Sequence, residues 1–488
     1  MEIPRRFVVV IMGFFGLLCT YSLRTCFSLV MVHVLRRDLS QTNFPFKECT
    51  INGTSMDLHL PWNPSYTQYF NSAFFIGYFL TQLPGGYLAA RFSSSRIFGV
   101  SILLSGIMVI LLSFVVAYGP AVVFSIRLIQ GLFEGMSLPA MNGVLSAWSL
   151  STEKSRMVTL TYSGVYLSPA VAFFITGLTT CYVSWNSSFF IFGSLVIVFS
   201  LLWMFLVYDN PKSNPNLSEK ERSFFDRDGR CKTSKDTVRN VPYRKILTSL
   251  PVSAVFVGNF CRNWIFSMQV SQLPQYFADA YGMNVASIGF LSALPDILMV
   301  IVVVAGGILI DKIITTGKVS TTVGRKIAQC SGFGIESLCV LSLVFIRDFR
   351  LAVIILMIGI GISGMAMSGY VVNILDLAPQ YAHIVTGITR ISCIGSVLST
   401  ALAGYLREEN IESWHRIFLI AGIIHMFGAI YYGIFASGER QSWAETTDIT
   451  SSGSTVALAS CPVHEYGTVS QDNDKGLVSS TRECAEKR

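Results

Sequence analysis

Along the chain, stretches of about 20 mainly apolar residues alternate with polar connections, and twelve such stretches can be counted. About 20 residues is the length a helix needs to cross the hydrocarbon of a bilayer. The first six run over Phe7–Val34, Tyr66–Ala90, Ile97–Ala117, Ala121–Val144, Met157–Thr180 and Ser188–Tyr208. The second six run over Leu250–Gln272, Ala286–Ile310, Ile327–Ile346, Leu351–Leu375, Ile384–Leu406 and Ile417–Ala436, and the second of the twelve is the most polar. The pattern predicts an all-α polytopic membrane protein. It comprises a six-helix bundle over 1–208, a cytosolic linker over 209–249, a second six-helix bundle over 250–436 and a disordered cytosolic tail over 437–488.

Composition agrees. At 488 residues, 52% hydrophobic and 13% charged, the chain holds more apolar surface than one or two soluble cores bury. The first stretch is too long for a cleaved signal peptide and contains Arg24, so it reads as a retained helix. With both termini in the cytosol, 25 of the 36 Lys and Arg fall on that side, 7 on the other and 4 within the spans. Such an excess is the usual mark of cytosolic loops. The net charge of +7 follows from it and implies no nucleic acid.

This topology puts the loop Arg36–Trp62 outside or in a lumen, where the sequon Asn52-Gly53-Thr54 is a glycosylation candidate. Eleven cysteines lie scattered without paired spacing, so neither a disulfide framework nor a zinc site is expected. In the linker, Ser218 and Glu221 have the spacing of a capping box that opens a short surface helix.

The chemistry lies in charges at membrane depth. Placing an arginine at the centre of a span costs about 2.5–3.5 kcal/mol on insertion scales, yet Arg24, Arg127, Arg262 and Arg390 are all there. Arg262, inside VGNFCRNWIFSM, is nearest mid-span. Arg24 has the alternative of snorkelling outward. Arg127 precedes Glu134 by seven positions, on the same helix face, and has the alternative of a structural ion pair. Arg390 lies near the cytosolic end of its span; snorkelling accounts for it, and pairing with Glu336 is the other choice. Guanidinium groups grip carboxylates in bidentate fashion, so an organic anion is the natural ligand.

A weak internal repeat is visible. GGYLAARF closes the second stretch of the first half and GGILIDKI the second stretch of the other, while Arg24 and Arg262 both lie in the first stretch of their halves. Repeated halves with a site between them are the architecture of alternating-access transporters. Gly359-Ile-Gly361-Ile-Ser-Gly364 matches G-x-G-x-x-G but lies in an apolar stretch with no preceding strand, and Gly131 to Gly135 is a small-xxx-small face. Close helix packing explains both. No Walker A, HExxH or GxSxG pattern occurs, so no cofactor and no enzymatic chemistry are expected.

PRRFVVVIMGF with the following Arg24, SAFFIGYFLTQLPGGYLAARF, RLIQGLFEGMSLPA, NFCRNWIF, VNILDLAPQYA and FASGERQSWAE resemble the anion transporters of solute carrier family 17, within the major facilitator superfamily, from Pro4 to about Glu445. NFCRNW and FGIES are most similar to the vesicular glutamate transporters. The resemblance implies substrate contacts for Arg24 and Arg262 and a proton-responsive pair of Arg127 with Glu134. Tyr78, Tyr166 and Asn373 match family cavity positions, although packing accounts for them equally well. Two positions depart from the family: Asn71 and Asp296 stand where the glutamate transporters carry histidines. Histidine is the side chain that switches charge near lumenal pH, so Asp296 is either a replacement proton acceptor or a repulsive group that shifts selectivity. Arg390 departs as well, because the transporters compared are uncharged there.

The function implied is potential-driven uptake of glutamate into acidic, synaptic-type vesicles. It would depend on a vesicular proton ATPase, with protons and also chloride, sodium or phosphate as further partners besides membrane lipid. The alternatives are proton-coupled export of acidic sugars or other organic anions, sodium-dependent phosphate transport and, in a different class, a non-transporting receptor or scaffold.

Overall fold

In the computed structural model the described residues are 4–35, 58, 60–149, 154–227, 242–378, 381–408 and 411–444. They belong to one compact unit, Met1–Glu445. No strand occurs among them, and twelve long helical segments follow the twelve apolar stretches. The first half contains α1 Arg5–Val34, α2 Tyr66–Arg91, α3 Ser94–Val115, α4 Pro120–Trp148, α5 Lys154–Tyr182 and α6 Ser187–Leu206. In the second half, α7 runs over Leu250–Ser267, a π-helical turn at Met268–Gln272 and Leu273–Tyr281. After it come α8 Val285–Thr315, α9 Thr321–Ser342, α10 Phe349–Ile374, α11 Ile384–Leu406 and α12 Ile411–Phe435. The end where α1 begins and α12 finishes is the termini end; the opposite one is the far end.

Among the described residues nine helices are long and apolar enough to cross a membrane, and α2, α7 and α9 fall short. These three carry buried polar groups: Gln68, Asn71 and Gln82 on α2, Arg262, Gln269 and Gln272 on α7, Gln329 and Glu336 on α9. Their polarity is turned inward, where helices rather than lipid surround it.

The packing makes the internal repeat explicit. In the first half α1 packs on α5, α2 on α4 and α3 on α6; six helices later α7 packs on α11, α8 on α10 and α9 on α12. The halves meet through α5 on α8 and α2 on α11, again a symmetric pair. Small residues permit the closest crossings. A Cβ on Gly131 would run into the carbonyl of Phe74, and one on Gly77 into that of Leu128, so α2 and α4 touch backbone to backbone. A Cβ on Gly361 would strike Leu298 and one on Gly364 would meet the carbonyl oxygen of Met299 at 2.8 Å. The G-x-G-x-x-G match is therefore a packing surface.

Hydrogen bonds between the halves gather toward the far end. Gln68 donates to the carbonyl of Ser271 at 3.0 Å and to Gln275 at 2.7 Å, Gln275 donates to the carbonyl of Pro64 at 2.9 Å, and the Ser72 and Thr400 hydroxyls are 2.7 Å apart. The side chains of Gln68, Ser72, Gln275 and Thr400 are all buried. Buried polar groups satisfied by one another hold an interface in register, so the far end is closed.

Three sequence expectations change. Glu221 accepts from Arg5 N at 2.9 Å and Arg6 N at 3.0 Å, so it caps α1 instead of completing its own capping box, of which only the Glu221 N to Ser218 Oγ bond (3.2 Å) forms. The first backbone N–H groups of a helix lack partners within it, and this linker carboxylate supplies one to α1. Helix α9 begins at Thr321 rather than Ile327, because Arg325 is drawn inside by Asp376 (2.8 Å) and the carbonyl of Ser368 (2.8 Å). Cys181, at the far end of α5, is disulfide-bonded. A spacing rule cannot see a bond between cysteines distant in sequence. Asn52 and the tail beyond Ala444 lie outside the described residues.

Candidate functional site

The expected residues form two polar clusters, one in each half. In the first half Arg24 is 4% exposed, and Arg127 and Glu134 are fully buried. None of the three faces lipid, which removes the snorkelling alternative for Arg24. The ion pair is not the one expected from helix periodicity: Glu134 accepts from Arg24 Nε, across from α4 to α1. Arg127 instead donates to Gln130 at 2.7 Å and to Asn71 Oδ1 at 3.2 Å. Periodicity places residues on one face but cannot say which neighbouring helix supplies a nearer charge. Aromatic faces complete the enclosure. The Arg24 guanidinium lies 4.0 Å from the Tyr21 ring centroid, 4.4 Å from Tyr78 and 5.0 Å from Phe74; that of Arg127 lies 4.0 Å from Phe27 and 4.5 Å from Phe74. Cation–π contacts of this kind are worth up to about 2 kcal/mol when desolvated. Asn71 also accepts from Ser28 of α1 at 3.3 Å. A neutral amide oxygen thus ties α1, α2 and α4 together.

In the second half Arg262, 5% exposed, donates to the Ser363 hydroxyl at 3.1 Å and approaches the Met299 sulfur at 3.2 Å. Its nearest carboxylate, Glu336, is 3.7 Å away. The same oxygen, Glu336 Oε2, lies 2.9 Å from His425 Nε2, yet neither group has an aligned hydrogen-bond partner. His425 packs its ring 4.0 Å from that of Phe333. Asp296 is buried and accepts from Gln269 in the π-helical turn of α7, while its other oxygen has no partner. Arg262 is the cation whose field it feels.

Of the remaining candidates, Tyr166 bridges the halves by donating to Met367 Sδ of α10 at 2.8 Å. Tyr78 serves as a wall of the Arg24 enclosure. Asn373 is fully buried and donates to the Tyr432 hydroxyl at 2.9 Å, a packing contact inside the second half. His425 was missed in the sequence. The available signal was a lone imidazole within a span, since ionisable groups at membrane depth face the bundle interior. The site holds no group of His, Cys, Asp and Glu among the described residues that suits a metal ion.

The Major Facilitator Superfamily signature matches residues 13–399. The chain is 34% identical over 454 residues to vesicular glutamate transporter 2.2 of Danio rerio, covering 91% of this chain and 76% of that one. It is 32% identical over 449 residues to vesicular glutamate transporter 2 of Homo sapiens, covering 91% and 76%. Two solved transporters share the fold: a bacterial homolog of the human lysosomal transporter Spinster, in an inward-facing unoccupied conformation (TM-score 0.63, 12% identity, 89% of this chain and 97% of that one), and a D-xylose-proton symporter (TM-score 0.63, 13% identity, 89% and 99%). These are transporters, not enzymes. The chain belongs to the major facilitator superfamily and, within it, to solute carrier family 17.

Proposed function

We propose that the protein carries glutamate or a closely related organic anion from the cytosol into an acidic compartment by alternating access, driven by membrane potential. The observation that carries this reading is the pair of equivalent arginines, Arg24 and Arg262, buried inside the bundle on the first helix of each half. The names of the relatives point to glutamate. Orientation has two supports. One is the lysine and arginine excess on the termini side. The other is the disulfide at Cys181 on the far end, since disulfides persist in oxidising compartments. With the far end lumenal, the closed arrangement faces the cytosol.

A lumen positive by 100 mV gives each anionic charge about 2.3 kcal/mol, or roughly fifty-fold accumulation, with no ATP site. Lumenal acid reaching Glu134 would release Arg24, the partner it holds here. In proteoliposomes holding the full chain, an imposed inside-positive potential alone is expected to drive glutamate uptake. Uptake that needs a pH gradient and survives collapse of the potential overturns this reading. That outcome belongs to a second one, proton-coupled organic anion transport, which is favoured by Asp296, a buried carboxylate held only by the neutral Gln269.

A further inference from the structure

Arg390 belongs to neither cluster. It ends the helical segment Ala382–Arg390 that opens α11, just before a tighter 3₁₀ turn at Ile391–Cys393. Among the described residues its guanidinium has neither a hydrogen-bond acceptor nor a carboxylate partner. The pairing with Glu336 does not form, because that carboxylate sits with Arg262 and His425. Nor does Arg390 snorkel. The groups that share its field are the hydroxyls of Tyr162, Tyr78, Tyr21 and Tyr166, from α5, α2 and α1 of the opposite half. The chain just beyond it confirms the direction. Cys393 packs in the same apolar cluster as Tyr21 and Tyr78, with Tyr162 against it. Ser392 accepts from Asn263, the neighbour of Arg262, at 3.3 Å.

Arg24, Arg127 and Arg262 are at most 5% exposed and already engaged, and the Tyr162 hydroxyl donates to Asn142 at 2.6 Å, whereas Arg390 and Tyr166 keep accessible surface and Tyr166 reaches across to the other half. The Tyr166 hydroxyl spends its proton on a thioether, Met367, a weak acceptor that a carboxylate readily displaces. The charges tell the same story: Arg24 has Glu134 and Arg262 has Glu336 within ion-pair distance, and Arg390 has no carboxylate. An unpaired cation away from bulk water is costly, and one anionic group from a ligand offsets it.

We infer that Arg390, with the hydroxyl of Tyr166, forms an anion subsite between the halves that takes a carboxylate of the transported substrate. The inference rests on the anion-transport reading above and adds to it a third guanidinium, one that is free in this arrangement. It explains how a substrate with two carboxylates is gripped while Arg24 remains locked: one carboxylate on the Arg262 side, the other on Arg390.

The test is ligand-induced thermal stabilisation of the purified full chain by glutamate, succinate, acetate and inorganic phosphate, for the wild type and for Arg390→Gln and Arg390→Lys. Losing one charge-assisted contact is expected to weaken half-maximal stabilisation by succinate or glutamate about 10- to 100-fold in Arg390→Gln. Acetate is expected to be little affected, and Arg390→Lys to recover part of the loss. Stabilisation by phosphate above that by the dicarboxylates overturns the carboxylate assignment. Equal responses of wild type and Arg390→Gln, or no response of the wild type to any of the four anions, overturn the subsite. So does slowed turnover with unchanged half-saturation, which makes Arg390 part of the moving interface. Failure of the transport reading looks different: dicarboxylate stabilisation persists and depends on Arg390, but an imposed potential drives no glutamate uptake.

Discussion

Arg24 and Arg262 occupy corresponding places in the two halves, yet they are held in different ways. Arg24 is locked: its Nε donates directly to a fully buried carboxylate, and three aromatic faces surround it. Arg262 is held loosely, by a hydroxyl, a thioether and a carboxylate at 3.7 Å that also faces His425. Charge-assisted bonds between guanidinium and carboxylate are the strong ones, and hydroxyl or sulfur acceptors are weaker. A ligand carboxylate therefore displaces little at Arg262 and must break an ion pair at Arg24. On the function proposed above, the first half would contribute a latch and the second half a binding arm.

That asymmetry is open to attack by a pair of alanine substitutions, where the largest effects are expected. Arg262→Ala should abolish glutamate uptake in proteoliposomes while the melting temperature in detergent falls less than in Arg24→Ala, because Glu336 keeps His425 at 2.9 Å. Arg24→Ala should abolish uptake too, but it also strands Glu134 in the interior. Removing one partner of a buried pair costs about 3–5 kcal/mol, so its melting temperature should fall markedly. Equal melting temperatures for the two variants would break the distinction between latch and arm. Restoring neutrality with Arg24→Met and Glu134→Leu together should recover stability but not uptake, because apolar replacement of a buried pair is often neutral.

The next effect concerns the latch alone. Glu134→Gln keeps the shape of the side chain and removes the charge that binds Arg24, mimicking the protonated state. If acid acts through Glu134, this variant should take up glutamate at neutral lumenal pH as fast as the wild type does at acidic pH. Uptake by the variant that still rises several-fold on lumenal acidification would move the sensor to another group, with Asp296 the first to examine.

Much of this arrangement was legible in the sequence. Twelve apolar stretches gave the helices, and the cost of arginine in hydrocarbon singled out Arg24, Arg127 and Arg262. What could not be read were pairings across helices. Seven-residue spacing suggested Arg127 for Glu134, but the partner is decided by the Arg24 side chain, which reaches across from α1 to α4. Arg390 departs from the expectation for a related reason. Distance to the nearer span end favours snorkelling, whereas Cys393 in the 3₁₀ turn after it packs into the apolar cluster of the opposite half. Arg325 shows the same limit, since Asp376 draws it into a helix that hydropathy begins later.

A smaller change sharpens the contrast within the arm. Glu336 Oε2 stands between His425 at 2.9 Å and Arg262 at 3.7 Å, and neither contact is an aligned hydrogen bond. In His425→Phe the carboxylate keeps only Arg262 within ion-pair distance. The added ring remains close to Phe333, which already packs against the imidazole with ring centroids 4.0 Å apart, so packing is largely kept. Glu336 should then close on Arg262, making the second half resemble the first: a locked arginine with a carboxylate that the substrate must displace. The expected outcome is a half-saturation concentration for glutamate raised by about three- to ten-fold, the cost of competing with one better-formed ion pair. Maximal rate should change less, because the latch in the first half is untouched. A variant with wild-type half-saturation would show that Glu336 is fixed by its helix and not by the imidazole, and that the looseness of Arg262 has its origin in the backbone positions of α7 and α9.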